Sequence, residues 1–122
     1  MPRPDEAAAD TGGRRRSEPA PGPEQAAQAG TLRRRMRELL PTAHIFYAVK
    51  ANPAAQILSR LSNLGSKFDT ASRGEIELVQ ATGVAMDRIS FGNTIKKERD
   101  IARAHALGVR LFAVDCVAEV EK

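Results

Sequence analysis

Polar side chains able to do chemistry recur in this sequence at a regular interval, each set just after a short apolar run. Lys50 and Asn52 follow Ile45-Phe46-Tyr47-Ala48-Val49, Asp69 and Ser72 follow or flank Phe68, Asn93 follows Ile89-Ser90-Phe91-Gly92, and Asp115 follows Leu111-Phe112-Ala113-Val114. Within this set the amine of Lys50 is the natural nucleophile. A lysine at the mouth of a buried strand is partly desolvated, which frees its amine, and a carboxylate on the next strand would hold a proton or a charge beside it. Plainer readings stand next to this one. A strand-end lysine is commonly just solvated, Asp69 and Asp115 would serve equally well as helix caps, and Asn93 as a turn residue. Spacing alone leaves both sets of readings open.

The elements that must position these residues follow from periodicity. The apolar runs 44–49, 67–72, 88–93 and 110–116 read as strands. The segments 54–65, 74–83 and 96–108 carry apolar residues at helical spacing and end at Gly65, Gly83 and Gly108, and 117–122 begins a further helix. Strand and helix therefore alternate with a period of about 22 residues, the pattern of βαβ units on a parallel sheet. In such folds the C-terminal edge of the strands is where chemistry is placed. A doubly wound sheet and a barrel arc both satisfy this pattern.

Ahead of the repeat, 31–40 reads as a helix with Thr31 as N-cap, Leu32, Met36, Leu39 and Leu40 on one face, and Pro41 as its end. Residues 1–30 are rich in Pro, Ala, Gly and charge and poor in large apolar residues, so the expectation is a disordered leader. The expected division is thus 1–30 leader and 31–122 folded.

Composition narrows the function classes. The net charge of +4 is split evenly between the first 40 residues and the rest, so no basic face stands out in the repeat. The runs Arg14-Arg15-Arg16 and Arg33-Arg34-Arg35 alone keep nucleic-acid binding under consideration, and the expectation is none. No apolar run approaches membrane-spanning length, and the acids Asp5, Glu6, Asp10, Glu18 and Glu24 argue against a transit peptide. A single cysteine, Cys116, excludes an intramolecular disulfide and suits a reducing, cytoplasmic setting; it reads as a small core residue on the fourth strand. No metal site is expected.

The motif Phe46-Tyr47-Ala48-Val49-Lys50-Ala51-Asn52-Pro53 resembles the lysine motif of the fold-type III pyridoxal 5′-phosphate (PLP) decarboxylases, which act on ornithine, lysine, arginine and diaminopimelate. Residues 68–84, 88–109 and 111–122 resemble the following blocks of that family, in order and with the family's spacing, so the resemblance runs unbroken from about residue 38 to 122. It implies an α/β fold, the first four βα units of a (β/α)8 TIM-type barrel. It implies PLP as cofactor, with Lys50 as the Schiff-base lysine and catalytic residue, Asp69 near that lysine and the cofactor, Glu75 toward the cofactor side, and Ala48 lining the barrel beneath the ring. The implied reaction is decarboxylation of a basic amino acid, ornithine to putrescine first among them, by a homodimer.

Other family parts do not appear in these residues: the glycine-rich phosphate loop, the histidine that stacks on the ring, and the cysteine–aspartate pair supplied across the dimer. His44, His105 and Cys116 do not match them. The expectation is therefore a piece of the enzyme, with self-association or instability because a half barrel exposes two strand edges. The competing readings are a non-catalytic binding module and another fold-type III enzyme, of the diaminopimelate decarboxylase or alanine racemase type.

Overall fold

A computed structural model describes residues 22–122. Four strands, β1 (Phe46–Ala48), β2 (Lys67–Thr70), β3 (Ile89–Phe91) and β4 (Leu111–Phe112), alternate with helices α2 (Ala55–Asn63), α3 (Arg73–Gln80), α4 (Glu98–Leu107) and the short α5 (Val117–Val120), with α1 (Pro23–Leu39) in front. The strands pair in parallel in the order β1-β2-β3-β4. This order resolves the choice left by periodicity. A doubly wound sheet reverses direction at a switch point. Here each crossover adds its strand on the same side, and with the right-handed crossover usual for βαβ units this puts successive helices on one face and makes an arc of a barrel.

The register assigns the two faces. Ala48 pairs with Asp69, Asp69 with Ser90, and Ser90 with Leu111, so these four form one row across the sheet. The alternate residues Phe68, Thr70, Ile89 and Phe91 are buried on the helix-covered face with Ile57, Leu58, Leu61, Ile76 and Val79. Tyr47 meets Phe68 edge to face at 6.4 Å between ring centres, and Phe91 lies 6.2 Å from Phe112. Aliphatic side chains make up most of this core, as the scarcity of aromatics requires.

Strand and helix cores lie where periodicity puts them, but their ends are shorter. The fourth strand stops at Phe112, and Cys116 falls beyond it as the residue before α5. Cys116 is exposed, which corrects its reading as a core residue: past the strand end no helix covers it. Gly65 and Gly108 follow α2 and α4 with φ of 80° and 114°, a left-handed turn that suits a residue without Cβ.

The largest departure is at the start. The helix begins at Pro23, so 23–30 is not a disordered leader; the rest of that expected leader, 1–21, lies outside the described residues. Proline at the first helical position has no N–H to leave unpaired, and the Glu-Gln-Ala-Ala-Gln-Ala run after it favours helix. Thr31 is accordingly internal rather than an N-cap, and its hydroxyl donates back to the Ala27 carbonyl at 3.1 Å. The helix buries Ala26 and Gly30. At Gly30 a Cβ would stand 2.9 Å from Leu64 Cδ1, so the absence of a side chain sets how closely α1 approaches the end of α2. Leu32, Met36, Leu39 and Leu40 are instead exposed. Leu32 and Met36 face a cavity of about 580 Å³ shared with Phe46, Tyr47 and Leu61, on the open side of β1. Among the described residues no helix is long and apolar enough to cross a membrane.

Candidate functional site

The polar residues at the C-terminal ends of the strands gather along one edge of the sheet. β1 runs into a single 3-10 turn, Val49–Ala51, which carries Lys50. Val49 is fully buried and anchors the turn, while Lys50 itself is exposed. Two hydrogen bonds close the turn beyond the lysine. The Tyr47 hydroxyl donates to the Asn52 carbonyl at 3.1 Å, and Asn52 Oδ1 accepts from the Ala54 N–H at 3.1 Å, where α2 begins. Burial raises the Tyr47 hydroxyl above its ordinary pKa, opposed by its bond to Asn52, so it is a donor throughout the neutral range. Lys50 makes no hydrogen bond or ion pair among the described residues, so its amine is held by backbone position alone. The desolvation expected of it is not supplied by this face, because the row Ala48-Asp69-Ser90-Leu111 lies opposite the helices.

Asp69 does not cap a helix. Its Oδ1 accepts from the Ser90 hydroxyl at 2.7 Å across the β2–β3 pair. Ser90 is 8% exposed. Gly92 then leaves the space that the carboxylate fills, since a Cβ there would lie 2.0 Å from Asp69 Oδ1. The next helix is capped by Ser72, whose Oγ accepts from the Glu75 N–H at 3.2 Å, while Glu75 Oε2 accepts from the Ala71 N–H at 2.5 Å. This is close to a capping box, with the carboxylate reaching one residue further back than usual. Glu75 thus fixes the loop that leaves Asp69. Asp115 is exposed and does not cap α5, whose N-cap is Cys116. Asn93 is exposed, and only its carbonyl is engaged.

That carbonyl belongs to a knot of charge that spacing did not reveal. Lys96 is 4% exposed, and its amine donates to the carbonyls of Asn93 (2.8 Å), Thr94 (3.1 Å) and Ala113. Glu119 lies 3.8 Å from it, accepts from the Lys96 N–H, and is bonded by Lys122. The Lys122 hydrogen bond, the Lys96 N–H and both ammonium charges hold the Glu119 carboxyl below the usual range, against the opposing effect of burial. The knot ties the ends of β3 and β4 to α5. Lysine in a polar run reads as solvated, so only tertiary structure shows Lys96 to be buried. Ser90 was legible in principle, as a small polar residue between two buried apolar neighbours in a strand.

The arrangement offers a free amine, a held carboxylate on the neighbouring strand, and the small side chain of Ala48 in the same row as that carboxylate. An amine and a held carboxylate at one sheet edge are groups of the kind that a carbonyl-bearing cofactor would need.

Comparison with known proteins agrees. Residues 28–122 match the family described as pyridoxal-dependent decarboxylase, pyridoxal binding domain. The chain is 50% identical over 86 residues to the chloroplastic ornithine decarboxylase of Nicotiana glauca, covering 70% of this chain and 20% of that protein. Its fold is similar to the lysine decarboxylase of Selenomonas ruminantium, with a TM-score of 0.75 at 38% identity, over 79% of this chain and 26% of that one. It is likewise similar to the lysine/ornithine decarboxylase of Vibrio vulnificus in complex with putrescine, with a TM-score of 0.75 at 33% identity over 79% of this chain and 26% of that one. The chain therefore spans between a fifth and about a quarter of the proteins it matches. With the lysine turn, the barrel arc and the matched residues in agreement, the chain belongs to the pyridoxal-binding domain family of the pyridoxal-dependent decarboxylases.

Proposed function

We propose that these residues form the cofactor-attachment part of a decarboxylase acting on a basic amino acid, ornithine first, and that Lys50 is the residue that attaches PLP. The observation that carries this reading is the placement, at the same sheet edge, of an unengaged lysine on the turn after the first strand and of a carboxylate fixed on the second. When bound, PLP supplies the electron sink for loss of the α-carboxylate. The chain's own residues bind and orient. Lys50 holds the cofactor by its amine and, once released, stands ready to carry a proton between the substrate amine and the reacting carbon. Asp69, held by Ser90 and framed by Gly92, keeps negative charge near that amine in one position. Ala48 leaves the floor flat, and Glu75 holds the 71–75 loop so that Asp69 does not swing away. We extend the reading to a homodimer in a cytoplasmic setting, supported by the family resemblance and by the lone free cysteine.

The test is carbon dioxide release from ornithine, lysine, arginine and diaminopimelate by the PLP-loaded protein and its Lys50→Ala variant. Lys50-dependent release, fastest from ornithine, is expected. Release that survives Lys50→Ala would remove the lysine from its role, and a preference for diaminopimelate would move the substrate away from ornithine.

A further inference from the structure

We propose that the opposite, N-terminal edge of the sheet carries a second binding site, for a compact polyphosphate anion, built by the arginines of α1 and α2. Two adjoining clefts meet at Arg33. One, of about 450 Å³, is lined by Arg33, Arg34, Arg37 and Arg60 with Glu38; the other, of about 220 Å³, by Arg33, Arg37, His44, Gly65 and Lys67. The smaller space would hold several waters at about 30 Å³ each, room for a phosphate group.

The charge in these clefts is unbalanced. The single carboxylate, Glu38, is engaged by Arg35 at 3.5 Å. None of Arg33, Arg34, Arg37, Arg60 and Lys67 has an ion-pair partner among the described residues. Arg33 Nε is buried without a hydrogen-bond acceptor, the one such side-chain atom among the described residues. Burial, and then the neighbouring charges of Arg37 and Arg88, push the Arg33 guanidinium below its ordinary pKa, the direction that a bound anion would reverse.

Helix ends do not account for the surplus. The C-termini of α1 and α2 converge here, each worth about half a negative charge. Arg88 already serves α2, donating to the Ser62 carbonyl at 3.0 Å and to the Ser66 carbonyl at 2.6 Å. Four arginines and a lysine remain against about one unit of partial charge. Guanidinium groups match phosphate oxygens in pairs, and several converging groups favour an anion with several charges. The clefts border Lys67 at the start of β2, whereas Lys50 follows the end of β1, so this site is separate from the one above and does not rest on it.

The experiment is titration of the full chain with inorganic tripolyphosphate by calorimetry, with amide shifts followed by NMR. Tripolyphosphate has no aldehyde, so its result is independent of the Lys50 reading. Saturable binding at one site is expected, weakened about tenfold or more in an Arg33→Gln/Arg37→Gln double variant and unchanged in Arg99→Gln on α4. In the unsubstituted chain the shifts should centre on Thr31, Ala43 and Gly65, a readout that does not depend on the variant folding. A nucleoside triphosphate should bind with similar affinity if the phosphate chain is what is read. Absent saturation, equal affinity in the double variant, shifts centred on the Lys50 edge, or binding of the nucleotide alone would overturn the proposal.

Discussion

Replacing Gly92 with alanine tests how Asp69 is held. A Cβ at Gly92 would lie 2.0 Å from Asp69 Oδ1 and 2.7 Å from both Cγ and Oδ2, far inside contact distance. Gly92 is not among the glycines with positive φ, so the backbone accepts alanine and the carboxylate must move instead. Moving it breaks the 2.7 Å bond from Ser90, whose only other acceptor among the described residues, the Phe68 carbonyl, is 3.5 Å away. A hydrogen bond to a charged group contributes about 1.5–3 kcal/mol. Alanine offsets this by about 0.4–1 kcal/mol through the unfolded chain. Gly92→Ala should therefore cost about 0.5–2.5 kcal/mol. The assay is urea unfolding followed by circular dichroism, in a double-mutant cycle with Asp69→Ala. With the carboxylate gone the clash is gone, and Gly92→Ala should be neutral or stabilising. An equal cost in both backgrounds would show that the penalty comes from something other than Asp69.

Further predictions concern the turn, the knot and the sheet edges. Tyr47→Phe removes the bond to the Asn52 carbonyl, should cost about 0.5–1.5 kcal/mol, and should slow PLP attachment at Lys50; an unchanged attachment rate would show that the turn needs no such clamp. Because the Glu119 carboxyl is held below its unfolded value, its stabilisation is present above the ordinary glutamate pKa and is lost as pH falls through the lowered folded value. Glu119→Gln should flatten that acid limb of the stability curve, and an unaltered limb would assign acid unfolding elsewhere. β1 and β4 each have one unpaired edge among the described residues, so the chain by itself should self-associate. A sharp, concentration-independent melt of a monomer in sedimentation-checked samples would contradict this.

The strand and helix cores were legible because both signals are local: apolar runs of strand length, and helical spacing closed by glycine. The strand ends were not, since Ala113 and Val114 continue the apolar pattern although β4 stops at Phe112, with one last bond from the Ala113 N–H to the Phe91 carbonyl. The start of α1 is not legible because a Pro-, Ala- and Gly-rich run poor in large apolar residues carries no helical pattern, while proline at the first helical position is tolerated. Its apolar face was visible in sequence, but the small residues Ala26 and Gly30 are what α1 buries, a choice made by how closely α2 approaches. At the site, Lys50 and Asp69 were visible as residue types at strand ends. What positions them was not: Ser90 and Gly92 come from a strand some twenty residues away, and only the parallel register brings them to Asp69. Lys96 shows the limit most clearly, since nothing in a Lys-Lys-Glu-Arg run marks one lysine as buried.

Whether Lys50 attaches PLP is tested by borohydride trapping of the chain mixed with PLP, followed by peptide mass spectrometry, beside a Lys50→Ala control. One reduced pyridoxyl adduct is expected, on the peptide containing Lys50, and its loss in the control. Adduct spread over several lysines, or equal labelling of the Lys50→Ala chain, would contradict it.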